Sequence, residues 1–215
     1  MPKPIIKVCG ITRAEDGLAA VRAGADWLGL IRWPKSPRFR PAESARELIG
    51  RLRAESGRPF EAVGVYVDAS ADEIERDADA LGLDRVQLHG DESLETARAL
   101  SRPAIKVIKI RDAASLRAAD EFPGLDLLAD TFDPALPGGT GRGYDYELLR
   151  DLIRRRRVLI AGGLTPETVG AVVAALAPWG VDVSSGVESA PGIKDHARII
   201  SFIHAARAGA AEVKP

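Results

Sequence analysis

The sequence holds a single cysteine, Cys9, within Lys7-Val8-Cys9-Gly10-Ile11-Thr12, where an apolar run meets a glycine. A lone thiol in an apolar strand is ordinarily a small hydrophobe. At a strand's exit the same sulfur points outward, and its thiolate could abstract a proton if nearby positive charge lowered its pKa. Asp130 closes a second apolar run, Leu125–Ala129, ahead of the glycine-rich stretch Pro137-Gly138-Gly139-Thr140-Gly141-Arg142-Gly143. An aspartate at such a place is often a loop cap, but a long loop behind it also suggests a lid that excludes water.

Other residues offer binding chemistry. Arg32-Trp33-Pro34-Lys35-Ser36-Pro37-Arg38 sets three cations on a proline-stiffened loop. A guanidinium fork there suits a carboxylate or phosphate, unless the arginines are merely solvated. His89, in Gln87-Leu88-His89-Gly90-Asp91, could bond to a substrate or hold a neighbour. His196 and His204 read as surface residues of the last helix. Three scattered histidines, without H-x-x-x-H spacing, give little support for a metal site. Ala161-Gly162-Gly163-Leu164 and Asp182-Val183-Ser184-Ser185-Gly186-Val187 are small-residue loops whose backbone could approach a phosphate closely. Glycine pairs also serve ordinary left-handed turns.

The elements that must position these residues repeat along the whole chain. Strand-like runs are Ile5–Cys9, Trp27–Ile31, Ala62–Val67, Arg85–Leu88, Ala104–Ile110, Leu125–Asp130, Val158–Ala161 and Val181–Ser184. Val63–Val67 and Val158–Ala161 are continuously apolar, as strands covered on both faces should be. The segments between them read as helices. Thr12 with Glu15, and Ser70 with Glu73, fit capping boxes. Ile74, Ala78 and Leu81 form an apolar stripe, as do Val169, Val172, Val173 and Leu176. Thr165-Pro166 fits a cap before a first-turn proline. Arg154–Arg157 reads as a solvated cluster at a helix C-terminus, with an anion site as the alternative. A last helix is expected over Asp195–Ala208, with a frayed tail over 209–215.

Eight strand–helix units without a linker predict one α/β domain over 1–208, a (β/α)₈ TIM barrel. A doubly wound open sheet shares the alternation, and the count of eight favours the barrel. In such barrels the site lies at the C-terminal strand ends, where the residues above fall, and loops seven and eight often bind phosphate.

Composition narrows the function classes. With 215 residues, 46% hydrophobic and 28% charged, the chain fits one ordinary globular domain. A formal net charge of −1 gives no pull toward nucleic acid or a membrane surface. One cysteine excludes an intramolecular disulfide. Met1-Pro2-Lys3-Pro4 lacks signal-peptide character, and no apolar run approaches the roughly 18 residues of a membrane span. A cytoplasmic location is expected.

Lys7–Thr12, Ser36-Pro37-Arg38, Gln87–Gly90, Asp130, Gly138–Gly141, Ala161–Leu164 and Asp182–Glu188, in this order, resemble the phosphoribosylanthranilate isomerase family of tryptophan biosynthesis. The resemblance implies a barrel without metal or organic cofactor that performs an Amadori rearrangement of N-(5-phosphoribosyl)anthranilate, a phosphorylated small molecule. It implies Asp130 as general acid and Cys9 as general base. Arg38 would hold the anthranilate carboxylate, Asp182 would lie near the sugar hydroxyls, and His89 would support. Gly162, Gly163, Ser185 and Gly186 would bind phosphate. Neither nucleic acid nor membrane is an expected partner; the chain would be a monomer or homodimer. Departures are Arg32-Trp33, Thr131-Phe132-Asp133-Pro134 and Tyr144-Asp145-Tyr146. Arg32 would either help depress the Cys9 pKa or turn outward.

Three rivals remain. A histidine-pathway aminoaldose isomerase, or a bifunctional barrel, would carry aspartate in place of Cys9 and stronger internal symmetry. A metal-dependent pentulose-phosphate epimerase needs more histidines at better spacing. A non-catalytic phosphate-binding scaffold would have no reason to keep acid, base and anion loops together.

Overall fold

The aliphatic runs form strands because a closed parallel sheet buries both their faces. The computed structural model describes residues 3–130 and 146–212. Its strands are β1 (Ile5–Cys9), β2 (Trp27–Ile31), β3 (Glu61–Tyr66), β4 (Arg85–Leu88), β5 (Ala104–Lys109), β6 (Asp126–Asp130), β7 (Val158–Ala161) and β8 (Gly180–Val183). Each pairs in parallel with the next, and β1 pairs with β8. The open sheet is thereby excluded: the fold is a (β/α)₈ barrel. Strand boundaries fall within one residue of those read from the sequence.

The outer layer comprises α1 (Ala14–Ala23), α2 (Ala42–Glu55), α3 (Ala71–Leu81), α4 (Leu94–Arg98), α5 (Arg150–Arg155), α6 (Val169–Leu176) and α7 (His196–Glu212). The connection from β5 to β6 carries only a 3₁₀ segment, Ser115–Glu121. Ser70 and Glu73 close their capping box at α3, whose stripe of Ile74, Ala78 and Leu81 is buried. The stripe of Val169, Val172, Val173 and Leu176 on α6 is buried too.

Some local expectations are corrected. Thr12 and Glu15 form no capping box: Arg13 stands at the N-cap of α1 and Glu15 accepts its guanidinium at 2.7 Å. The Thr12 hydroxyl instead donates to the Gly192 carbonyl. Thr165 opens a turn, and α6 begins only at Val169. Of the arginine cluster, Arg154 and Arg155 lie in the last turn of α5. Arg156 instead donates to the carbonyls of Ala119, Phe122 and Leu125, and Arg157 pairs with Asp126. Arg156 is thus a half-buried structural tie, whereas Arg157 stays exposed as expected while pairing with Asp126. The last helix runs on to Glu212, past the frayed tail expected from Gly209. Gly209 is buried where a side chain would strike the Gly170 carbonyl, so contact between α6 and α7 holds the last turns in place.

A hairpin of β9 (Glu188–Ala190) and β10 (Ile193–Lys194) follows β8, and no periodicity announces it. Apolar side chains form two clusters. The larger lies between strands and helices, and the smaller, with Val63, Ile105, Leu128 and Leu159, fills the barrel. Where the strands begin, the barrel is closed by Trp27 edge-on to Trp179, centroids 5.3 Å apart. Arg85 lies 4.5 Å over Trp27 and Arg157 lies 4.8 Å over Trp179. Asp126 accepts from Arg157 at 2.7 Å and lies 3.7 Å from Arg85. Among the described residues no helix is long and apolar enough to cross a membrane.

Candidate active site

At the other end, where the strands finish, lies a cavity of about 230 Å³. Its wall includes Cys9 from β1, His89 after β4, Asp130 from β6 and Asp182 from β8. Both small-residue loops reach it as well, through Gly162, Gly163, Ser185 and Gly186. Residues separated by up to 177 positions thus meet because parallel strands deliver their C-terminal ends to one rim.

Cys9 stands close over β2, where only glycine leaves room. A Cβ on Gly29 would lie 2.6 Å from the Cys9 sulfur. Burial pushes the thiol's pKa up, and the Lys7 ammonium pulls against that rise without overcoming it. The condition set by the sequence, a thiol lowered by nearby positive charge, is therefore not met: the thiol is raised instead. Lys7 is fully buried one layer below Cys9 and donates to Asp182 at 2.8 Å. Burial of the ammonium is outweighed by Asp182 and Cys9, so its pKa rises. Lys7 remains a cation inside the barrel.

On the opposite side, His89 Nε2 lies 3.8 Å from Asp130 Oδ2, and His89 Nδ1 lies 3.0 Å from Gln87 Nε2. Burial lowers the His89 pKa despite the nearby Asp130 carboxylate, which favours neutral imidazole. A neutral ring accepting from Gln87 at Nδ1 carries its proton on Nε2, the side facing Asp130.

Gly162 and Gly163 both take positive φ, 85° and 67°, so the loop after β7 turns in a way side chains resist. Its backbone and that of Ser185-Gly186 form one edge of the cavity.

Arg38 does not line the cavity wall; it lies on the rim, folded across Gly10. A Cβ on Gly10 would stand 2.6 Å from Arg38 Cδ and 3.0 Å from Ser184 Oγ. Its guanidinium bonds Glu188 through two edges, Nε to Oε1 at 2.8 Å and Nη2 to Oε2 at 2.5 Å. Glu188 also accepts from buried Lys194 at 2.9 Å. Burial alone would raise the Glu188 pKa, but hydrogen bonds from Arg38 and Lys194 take it down to about 2.

Comparison with known proteins decides what this arrangement belongs to. Residues 6–205 match the family model described as N-(5'phosphoribosyl)anthranilate (PRA) isomerase. The chain belongs to the phosphoribosylanthranilate isomerase family. A curated relative of that name from Pseudomonas fluorescens (strain Pf0-1) is 44% identical over 204 residues, 94% of this chain and 97% of the relative. The crystal structure of phosphoribosyl anthranilate isomerase from Thermotoga maritima superposes with a TM-score of 0.86 at 36% identity, covering 94% of this chain and 98% of that one. A further structure of such an isomerase, in complex with reduced 1-(o-carboxyphenylamino)-1-deoxyribulose 5-phosphate, gives 0.83 at 34% identity, covering 94% and 98%.

Of the departures expected from the resemblance, the structure settles which way Arg32 turns. Arg32 turns away from Cys9 and grips Asp77 of α3 at 2.7 and 2.9 Å, with Phe39 5.4 Å beneath it. Lys35 is exposed. The glycine-rich stretch proposed as a lid, Thr131–Pro134 and Tyr144-Asp145 lie outside the described residues. Lys7, Gln87 and Glu188 stand within the motifs quoted above without an assigned role, and Lys194 stands in none of them. The usable signal was Lys7 itself: an inward lysine two residues before Cys9 must find a carboxylate inside the barrel. Among the described residues no three His, Cys, Asp or Glu side chains converge as a metal ligand set.

Proposed function

We propose that this isomerase of tryptophan biosynthesis works through Asp130 as general acid and Cys9 as general base. Its substrate is N-(5-phosphoribosyl)anthranilate. Asp130 protonates the furanose ring oxygen, the C1–O bond breaks, and an iminium forms between C1 and the anilino nitrogen. The cationic C1=N⁺ group acidifies the C2 hydrogen, so Cys9 can remove it as a proton and give an enolamine. That enolamine tautomerises to 1-(2-carboxyphenylamino)-1-deoxyribulose 5-phosphate, and no electrons leave the molecule.

The observation that carries this reading is the shared cavity, where Cys9 and Asp130 face one space with both small-residue loops at its edge. The raised thiol pKa is compatible with it. A base is needed only once the iminium has formed, and that cation favours the thiolate as charge develops. Neutral His89 beside Asp130 supports the carboxyl without competing for the proton. Gly162, Gly163, Ser185 and Gly186 hold the phosphate through backbone N–H groups. Asp182 holds sugar hydroxyls and Arg38 the anthranilate carboxylate.

Loss of phosphoribosylanthranilate fluorescence on adding the protein tests the reaction directly. Asp130→Asn should turn over about 10²–10⁴-fold more slowly, the usual contribution of one positioned proton donor. Near-normal turnover would refute the role of Asp130. Turnover of the histidine-pathway aminoaldose at a comparable rate would overturn the substrate assignment.

A further inference from the structure

The loop that carries Arg38 and the loop after β8 are tied by one buried carboxylate. Glu188 opens β9, and Lys194 closes β10 directly opposite it in the hairpin register. Their side chains are 5% and 0% exposed. Glu188 Oε1 accepts from Arg38 Nε, from Lys194 Nζ, and at 3.3 Å from the Gly192 N–H; Oε2 accepts from Arg38 Nη2. Lys194 also donates to the Ser184 carbonyl at 3.1 Å, at the exit of β8. Its own backbone N–H donates to buried Asp16. The hairpin therefore braces the rim on which the guanidinium sits.

A guanidinium can offer two bidentate faces, a side built from Nε and one Nη, and an end built from both Nη atoms. Glu188 takes the side. Among the described residues none accepts from Nη1, and none of them covers the end face. Charge points the same way: Arg38 and Lys194 face one carboxylate between them, which leaves one positive charge over. Asp16 lies at the far side, on the Lys194 backbone and His196, and Asp182 is taken by Lys7.

We propose that Glu188 is a positioning residue that fixes the edge of Arg38, so that the open end of the guanidinium meets the substrate's aromatic carboxylate. This rests on the reading that Arg38 anchors that carboxylate. Without Glu188 the long arginine side chain loses both described hydrogen bonds of its guanidinium and is repelled by Lys194. A displacement of about 1 Å is enough to lose a geometry-dependent contact.

The test compares affinities for two ligands, the reduced product analogue and its counterpart lacking the carboxyl group. The wild type should prefer the carboxylated ligand by about 10–100-fold, as charge-assisted bidentate bonds allow. Glu188→Gln should cut that preference to near the value of Arg38→Ala, while affinity for the decarboxy ligand changes less than about threefold. Glu188→Asp keeps the charge needed for folding but withdraws it by one methylene. It should also lose several-fold preference, and it decides the matter if Glu188→Gln does not fold. Wild-type preference in a folded Glu188 variant, with preference lost in Arg38→Ala, overturns the positioning role and spares the anchor. Equal weakening of both ligands makes Glu188 merely structural and also overturns it. Wild-type preference in Arg38→Ala removes the anchor itself.

Discussion

The two ends of the barrel use charge in opposite ways. Where the strands begin, Arg85, Arg157 and Asp126 answer one another around two tryptophans that close the barrel. Where the strands end, charges are buried in incomplete sets. Lys7 and Asp182 neutralise each other beneath a thiol, while Arg38 and Lys194 outnumber Glu188. The first arrangement closes a barrel. The second leaves room for an anion and a reacting centre, and glycines rather than side chains bring the partners close. Turnover should therefore depend on the mouth alone, whereas stability draws on both ends, and substitutions can separate the two.

The largest effect is expected at the mouth. Lys7→Met leaves Asp182 buried without its partner, which should cost about 3–5 kcal/mol in denaturant unfolding and abolish most turnover. The double variant Lys7→Met with Asp182→Leu replaces the pair by apolar groups and should regain most of that stability. It should not regain turnover, because the proposed function also gives Asp182 to the sugar hydroxyls. Recovered activity in the double variant would show that the pair only holds the barrel together.

At the closed end, Trp27→Ala removes a buried ring and the platform under Arg85, costing about 3–5 kcal/mol. Its folded fraction should keep wild-type kcat. A kcat loss matching that at the mouth would erase the contrast between the two ends.

A smaller effect concerns acid. Glu188 has a folded pKa of about 2 against an ordinary 4.5, so its contribution is complete above about pH 4.5 and is lost as pH falls toward 2. Thermal unfolding followed from pH 5 to pH 2 should fall less steeply for Glu188→Gln than for wild type. Parallel slopes would remove Glu188 from the acid response.

Much of this division was legible in the sequence. Strand exits could be located because continuous apolar runs mark strands covered on both faces, and Cys9, Asp130, His89, Asp182 and the small-residue loops all meet at one cavity. Arg38 was found as a cation, but its rim position and its partner were not. The Glu188 contact spans 150 positions, and strands of three and two residues carry no periodicity to announce the hairpin. Arg154–Arg157 looked like a solvated run because charge on a helix end has that local meaning, and Arg156 departs from it. Only the packed barrel supplies the carbonyls that Arg156 binds and the Asp126 that Arg157 binds.

The central claim is that Cys9 moves a proton rather than filling space. Turnover of phosphoribosylanthranilate by Cys9→Ser, measured with its affinity for the reduced product analogue, tests this most directly. The account predicts turnover reduced about 10²–10⁴-fold with affinity nearly unchanged, since a hydroxyl fits the space over Gly29 but is a far poorer base. Near-wild-type turnover would contradict it, and Cys9 would return to being a small hydrophobe at the end of a strand.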